Sequence, residues 1–454
     1  MVVGAGLAGE KGAAQAAYFG KRVAIVEREA EPGGAATHTG TLPSKTLRET
    51  ALFLSGYRQM DLYGVTVQVE PHLAVAKLID RKDAVRRDET QRIVTNLRAH
   101  GIESVRGAAR FVDASTVAVT SSTGERTLEA EAILIATGSR PFRPAGIPFD
   151  DPGVYDSDAI LGIARLPDAL CVLGGGVIGC EYASVFAALG VAVELIDGRD
   201  RLLPFLDAEI GGRLAEALEA HGVEVRLSER AEAVDRTDRG LRVRLRSGEE
   251  RSAEAVLVAA GRAGNTVGLN LEGIGVRTDP RGHVEVDERF RTAAPGVFAA
   301  GDVVGFPALA STSMEQARVA VCHAFGFAYK QEVSSLLPYG VYTIPEVSCV
   351  GLSEEDAAAA GIDVVVGRAL FRDNARGQIL GDREGMIKLV FDRDSRRLLG
   401  SHLIGERASE LVHVGQAVIA LEGTAETLIE LVFNYPTLTE VYKYAAYDAL
   451  GRWA

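Results

Sequence analysis

Two short runs carry the residue types that a nucleotide-handling protein needs. The first is Val2-Val3-Gly4-Ala5-Gly6-Leu7-Ala8-Gly9, an apolar entry into G-x-G-x-x-G followed by a helical run from Glu10 to Phe19. At this spacing the first glycine makes a tight turn, the second lets a pyrophosphate approach the backbone, and the third lets helix and strand pack closely. The opening of the helix then turns free N–H groups and its positive dipole end toward the phosphates. The next apolar run, Val23 to Val26, ends in Glu27, eighteen residues after Gly9, where a carboxylate accepts hydrogen bonds from an adenosine ribose. The second run, Cys171-Val172-Leu173-Gly174-Gly175-Gly176-Val177-Ile178-Gly179, precedes a helix expected over Cys180 to Leu189 and a strand, Val191 to Ile196, that ends in Asp197. Asp197 again stands eighteen residues past the last glycine. A single glycine pattern also occurs in purely structural turns. Two copies with one spacing predict two dinucleotides bound by separate doubly wound domains of one chain.

Further segments narrow the assignment. Thr127 to Gly138 reads as one strand ending in a small-residue turn, and Gly296 to Ala300 as a later strand ending in Gly301-Asp302. Together with Pro43-Ser44-Lys45 and Tyr342-Thr343-Ile344-Pro345-Glu346-Val347, they resemble the pyridine-nucleotide disulfide oxidoreductase family over the whole chain. The resemblance implies an α/β fold, two doubly wound dinucleotide-binding domains plus an α+β C-terminal dimerisation domain. Boundaries are expected at 1–148 for FAD, 149–268 for NAD(P), 269–335 for a central segment completing the FAD site, and 336–454 for dimerisation. It also implies a homodimer, with FAD as cofactor and NAD(H) and NADP(H) as substrates.

The same resemblance assigns residues. Gly4, Gly6, Gly9 and Glu27 would hold FAD from the first fingerprint, Gly34, Ala36, Thr41 and Lys45 from the segment after it, and Thr137, Gly138, Arg262, Gly301, Asp302 and Ala310 from later turns. Gly174, Gly176, Val177, Ile178, Gly179, Asp197, Arg199 and Gly261 would hold the nicotinamide nucleotide. Lys45 is expected beside flavin N5, paired with Glu181. A cation there favours the electron-rich ring, and the pair also serves as a structural tie between domains. Leu309-Ala310-Ser311-Thr312 should start a helix whose positive end faces the flavin. Val177 stands where some relatives place a gating aromatic, so a small residue would leave the nicotinamide pocket open.

Two departures from the family pattern decide the chemistry. Disulfide reductases of the family carry two cysteines before the Pro-Ser-Lys motif, where this chain has Ala36 and Thr41. A methyl and a hydroxyl form neither thiolate nor disulfide, so electron relay to a dithiol substrate is excluded there. Their C-terminal acid-base pair is a histidine before Pro-Thr and a following glutamate, where this chain has Tyr435 and Glu440. A phenol with an ordinary pKa of about 10 is a poor proton acceptor at neutral pH. Gly40-Thr41-Leu42-Pro43-Ser44-Lys45 and Asn434-Tyr435-Pro436-Thr437 are similar instead to the soluble pyridine nucleotide transhydrogenase branch. With one nicotinamide domain, NADPH and NAD+ would use it in turn, which implies ping-pong kinetics. Two other readings stay open: an NAD(P)H oxidase or diaphorase, and a flavin redox sensor without turnover.

Coenzyme choice rests on the end of the second strand. Asp197 suits the ribose diol of NAD(H), yet it repels the 2'-phosphate of NADP(H) by about 4 kcal/mol per charge pair at 4 Å and an effective dielectric near 20. Arg199 and Arg201, just beyond it, are candidates to offset that repulsion with a guanidinium fork. A solvated loop of mixed charge is the plainer reading of the same residues.

Composition sets the outer limits. At 454 residues with 47% hydrophobic and 24% charged residues, the chain has material for about three globular domains. A net charge of -13 argues against a nucleic-acid partner. Cys171, Cys180, Cys322 and Cys349 form no C-x-x-C pair and no zinc spacing, so buried free thiols and no metal site are expected. The most apolar stretch, Ala169 to Ile196, is broken by five glycines, Glu181 and Glu194, as suits a buried strand and helix rather than a bilayer span. Lacking a secretory signal pattern, the chain reads as cytoplasmic. Three residues precede Gly4 where a first strand usually has about five or six, which predicts an abbreviated strand or a shortened start. Pro71 to His100 has the periodicity of a long packing helix. Arg372, Asp373 and Arg376 are expected at the surface.

Overall fold

The computed structural model describes residues 1–55, 62, 64, 71–238 and 240–453, with 71–74 described by their backbone. The chain gathers into two compact units: Met1–Thr46, Ile79–Phe142 and Gly261–Ser334 form the first, and Leu47–Leu78, Arg143–Ala260 and Ser335–Ala454 form the second.

The first unit is built on a five-stranded parallel sheet in the order Val297–Ala299, Ile133–Ile135, Val2–Val3, Ala24–Glu27, Glu103–Arg106. Val3 pairs with Val26 on one side and Ile135 on the other, so the fingerprint strand sits where the strand order reverses. That position is the switch point at which open α/β sheets bind ligands. Val2, Val3, Ile25, Val26, Ile133 and Ile135 are all buried, as expected of strands covered on both faces. Leu7–Tyr18 and Ala310–Phe325 cover one face through Ala13, Ala16, Ala317 and Ala320. Phe111, Val117, Leu269 and Val303 pack against the other.

Three expectations are refined here. The first strand is two residues long. The helix expected from Pro71 to His100 runs Pro71–Ala99 and buries Ile93 and Leu97 in the first unit's core. Thr127 to Gly138 is not one strand. Gly124–Glu129 pairs antiparallel with Thr116–Ser121, whereas Ile133–Ile135 enters the parallel sheet. The break falls at Ala130-Glu131, because the exposed charges Glu125, Arg126, Glu129 and Glu131 cannot continue into a strand buried on both faces.

The second unit holds a parallel sheet of its own, ordered Val223–Arg226, Ala192–Ile196, Ala169–Leu173, Ala255–Val258, Val154–Asp156. Again the fingerprint strand is central, Leu173 pairing with Ile196 and with Val258. The same unit contains a five-stranded antiparallel sheet, Tyr339–Val341, Val347–Gly351, Leu398–Ile404, Met386–Asp392, Val364–Leu370. Val441–Leu450 and Ala408–Ala420 pack over it around Phe391, Leu403 and Tyr442.

A buried ionic cluster ties these two sheets. Asp207 caps the helix Ala208–Ala220, accepting from the Glu209 and Ile210 amides. Its carboxylate also receives Lys388 Nζ at 2.8 Å, with side-chain exposures of 0% and 2%, so neither charge has water to fall back on. Lys388 reaches Glu354 at 2.8 Å as well, and Arg368 reaches Glu209 at 2.8 Å. Burial would push the Asp207 carboxyl up, but the Lys388 ammonium more than offsets it and holds the group below its usual range. A depressed folded pKa contributes stability that is present above the unfolded value near 3.9 and lost as pH falls through the folded one. Asp207→Ala removes the cap of the helix Ala208–Ala220 and the most buried partner of Lys388, which keeps Glu354 and Glu209. It is expected to cost about 2–4 kcal/mol, read as a lower thermal midpoint.

Candidate functional site

The two fingerprints fold into near copies of one another. Gly4 and Gly174 turn the chain at φ 101° and 114°, where a side chain would be strained. Their amides donate to Val26 O and Ile196 O, each at 2.8 Å. Gly6 and Gly176 are the extended residues before the helices Leu7–Tyr18 and Val177–Ala188, and neither helix start has a side-chain cap. Both helices begin three residues earlier than the sequence suggests, with the third glycine inside the first turn. A Cβ at Gly9 would run into Gly4 O, and one at Gly179 into Gly174 O. Uncapped N–H groups and a dipole end face each glycine turn, which is the arrangement that binds a pyrophosphate.

The acidic residues are engaged as ribose acceptors should be, each fixing the turn it serves. Glu27 Oε2 accepts the Ala5 amide at 2.7 Å and Oε1 the Glu29 amide at 2.9 Å. Asp197 Oδ2 accepts the Gly175 amide at 2.5 Å and Oδ1 the Arg199 amide at 2.8 Å. The second acid differs in one respect, since Arg199 lays its guanidinium on it, Nε to Oδ1 at 2.8 Å and Nη2 to Oδ2 at 2.6 Å. Burial raises the Asp197 carboxyl, and the Arg199 hydrogen bonds outweigh that and hold it low. Arg201 turns away to Pro204 O. Among the described residues Glu27 makes no ion pair.

The remaining residues assigned to the first dinucleotide all lie in the first unit. Gly34, at φ 59°, opens the short helix Gly34–His38 that carries Ala36, and a Cβ on it would come within 2.8 Å of Gly6 Cα. Thr41 begins the helix Thr41–Leu54, and Lys45, half-buried, lies in its second turn. Arg262 donates to Ser139 Oγ at 2.7 Å, and Ser139 Oγ to Asp302 at 2.9 Å. Ser313 Oγ donates to the other Asp302 oxygen at 3.2 Å, while the Gly301 amide is held by Gln316. Gly138, at φ 68°, and Thr137 are pinned by Asn265 through their carbonyls. Ala310 opens a sixteen-residue helix that has no side-chain cap. The hydroxyls of Thr37, Thr137 and Thr312 are buried there without a partner. Buried hydroxyls are rarely left so, and these fit a polar ligand.

In the second unit, Val177 and Ile178 form the half-buried first turn after Gly176. Gly261, at φ 91°, belongs to the first unit, as does Lys45, whereas Glu181 belongs to the second. Glu181 is buried and its Oε1 accepts the Tyr342 amide at 2.9 Å. The loop that supplies this amide is held by Arg48, itself buried, which donates to Thr343 O at 3.0 Å and pairs with Glu346 at 3.0 Å. Neither Arg48 nor this loop contact was visible in the sequence. Tyr435 is 74% exposed, and Glu440 ends a short turn, Leu438–Glu440, with one carboxylate oxygen buried and unpartnered. Arg372 and Asp373 are exposed, and Arg376 is half-buried.

All four cysteines are free and buried. Burial pushes the Cys349 thiol up to about 12, and pushes those of Cys171 and Cys180 further still, so none is a thiolate near neutral pH. Among the described residues no group of three His, Cys, Asp or Glu is placed to hold a metal ion, and no helix is long and apolar enough to cross a membrane.

The sequence profile of the pyridine nucleotide-disulphide oxidoreductases matches residues 1–324, and that of their dimerisation domain matches 337–446. The chain belongs to that family. Its fold is the family's α/β architecture with a dimerisation domain, and the protein is an oxidoreductase. A soluble pyridine nucleotide transhydrogenase of Mycobacterium bovis (strain BCG / Pasteur 1173P2) is 43% identical over 100% of this chain and 97% of its own length. One from Marinomonas sp. (strain MWYL1) is 41% identical over 100% and 98%. Among solved structures, LpdA from Mycobacterium tuberculosis superposes with a TM-score of 0.90 at 27% identity, covering 98% of each chain. The HOCl-induced flavoprotein disulfide reductase RclA from Escherichia coli gives 0.88 at 28%, also over 98% of each. The family is flavin-dependent and uses NAD(P)H.

Because the third glycines are closed to any side chain, Gly9→Ala and Gly179→Ala separate the two cradles. The first is expected to abolish the visible flavin absorbance of the purified protein. The second should keep that absorbance and lose nucleotide binding, measured by calorimetric titration.

Proposed function

We propose that this oxidoreductase is a soluble transhydrogenase that passes hydride from NADPH to NAD+ by way of bound FAD, both nicotinamide nucleotides using the second cradle in turn. The observation that carries the reading is the combination of two equivalent dinucleotide cradles with Ala36 and Thr41 in place of a cysteine pair and four thiols buried beyond use. The names of relatives above 40% identity over the full chain support it. When bound, FAD supplies a two-electron acceptor and donor between the two nucleotides.

The chain's own residues divide the remaining work. Gly4, Gly6 and Gly9 admit the FAD pyrophosphate, and Glu27 orients the adenosine ribose. Asp302, with Ser139 and Ser313 fixing its two oxygens, accepts from hydroxyls of the sugar chain. Lys45 and the helix opening at Ala310 bring positive potential to the flavin ring, and Glu181 is immobilised by the Tyr342 amide. Gly174, Gly176 and Gly179 admit the nicotinamide nucleotide, while Val177 and Ile178 line its path. Arg262 belongs with the residues that hold FAD, and Gly261 with those that hold the nicotinamide nucleotide. Tyr435 and Glu440 occupy the positions of the family's thiol-exchange pair and, with Lys45 and Glu181, are the candidate catalytic residues, with no thiol to serve. A homodimer, a cytoplasmic location and the domain division 1–148, 149–268, 269–335 and 336–454 belong to the same reading.

Anaerobic stopped-flow tests it directly. NADPH is expected to bleach the flavin absorbance and NAD+ to restore it at a rate that accounts for turnover, with parallel double-reciprocal lines in the steady state. Bleaching that NAD+ leaves unrestored would favour an oxidase or diaphorase, and absence of bleaching a sensor. Arg199 carries a separate expectation. Released from Asp197, it is free to meet the 2'-phosphate, so Arg199→Ala should raise the KM for NADPH tenfold or more, on the order of one charge-assisted bond, and that for NADH far less. Equal changes would remove Arg199 from phosphate binding.

A further inference from the structure

The Asp197–Arg199 pair leaves an electrostatic gap. Held on both carboxylate oxygens, Arg199 neutralises Asp197 and no more. A 2'-phosphate carries a charge of about -1.5 to -2 near neutral pH, so its binding beside a neutral pair calls for a further cation. The strand end offers one from a neighbouring loop. Ala192–Ile196 and Val223–Arg226 run parallel, and the turns that follow them are bonded, Ser228 N to Arg199 O at 2.8 Å and Glu229 N to Asp197 O at 3.0 Å. The next residue, Arg230, lies across Gly198.

Glycine at 198 lets the arginine side chain lie against the loop backbone. Its φ is outside the left-handed region, so the backbone conformation itself would accept a side chain. A Cβ there would overlap Arg230 Nε and stand 2.8 and 3.0 Å from Arg230 Cγ and Cδ. Arg230 is exposed and makes no ion pair among the described residues. The neighbouring carboxylate Glu229 is occupied: hydrogen bonds from Ser247 and from the Arg230 amide hold it below its usual range. Where a strand-end acid meets the ribose diol, a phosphate on the 2'-oxygen stands beside that acid.

Resting on the second cradle as the nicotinamide nucleotide site, we propose that Arg230, seated over Gly198, is a specificity residue for the 2'-phosphate of NADP(H), forming with Arg199 a two-loop guanidinium fork. With NAD(H), Asp197 meets the ribose diol and Arg230 has no ligand to hold. With NADP(H), the two arginines meet the phosphate from adjacent loops. Gly198 keeps the second of them in place.

Calorimetric titration of the purified flavin-loaded protein with 2',5'-ADP and with 5'-ADP tests this without turnover. Arg230→Ala is expected to weaken 2',5'-ADP about tenfold or more and to leave 5'-ADP within about twofold, since a charge-assisted bond to phosphate is lost from one ligand alone. Arg230→Lys should fall between, keeping charge without the planar fork. Equal weakening of both ligands would assign Arg230 to the adenine and overturn the inference, as would no effect on either. If the unaltered protein binds neither ligand, the cradle assignment fails first and the inference with it.

Discussion

The distance between a helix and its strand governs what this protein can hold. At Gly9 and Gly179 the helix backbone comes so close to the glycine turn that even a methyl group has no room. That approach brings the uncapped helix start directly onto the turn, and the turn is then fixed from the other side by a carboxylate on the adjacent strand, Glu27 or Asp197. The carboxylate does two jobs at once. One lone pair holds the loop amide, and acceptor capacity remains on the carboxylate. Two cradles are built from the same three constraints, and what stands next to each acid differs.

Those constraints are local, which is why they could be read from the sequence. Three glycines and an acid eighteen residues on describe a strand, a turn, a helix and the next strand, all within about thirty residues of chain. The helix starts were misplaced by three residues because the third glycine looks like part of the turn, while physically it is the first-turn residue that permits the close approach. Thr127 to Gly138 failed for a similar reason: an unbroken β-prone run does not reveal that its two halves face different surroundings. Contacts between distant segments left no local trace. Lys388 meets Asp207 across 181 positions and Arg48 meets Thr343 across 295, and neither spacing has a pattern to recognise. Arg230 left no trace either, because it comes to Gly198 from the loop after the neighbouring strand, 32 positions on.

The buried ions show how the second unit achieves a single arrangement. An isolated buried charge is unfavourable, and a buried pair contributes little net stability against an apolar substitute of the same shape, but removing one partner is costly. Such pairs therefore disfavour alternative packings more than they stabilise the native one. Lys388 and Asp207 fix the helix Ala208–Ala220 against the antiparallel sheet. Arg48, Glu346 and the Thr343 carbonyl fix the loop whose Tyr342 amide meets Glu181. A buried carboxylate held by a backbone amide, as Glu181 is by that of Tyr342, gains a fixed orientation from this support.

Net charge and ligand charge are at odds in this chain. At -13 the protein as a whole repels the anionic nucleotides it is built to take, and the long-range part of that repulsion is screened beyond about 8 Å at physiological ionic strength. Binding therefore depends on short-range design. In the first cradle helix and loop amides suffice, since Glu27 meets neutral hydroxyls and carries no arginine. In the second cradle, on the proposed reading, Asp197 would meet either a diol or a phosphate, two partners that need opposite electrostatics at one point. A permanently basic site would favour NADP(H), and a bare acid would favour NAD(H). On the proposed reading an arginine resting on the acid serves both demands, because it can turn from the carboxylate to a phosphate when one is present.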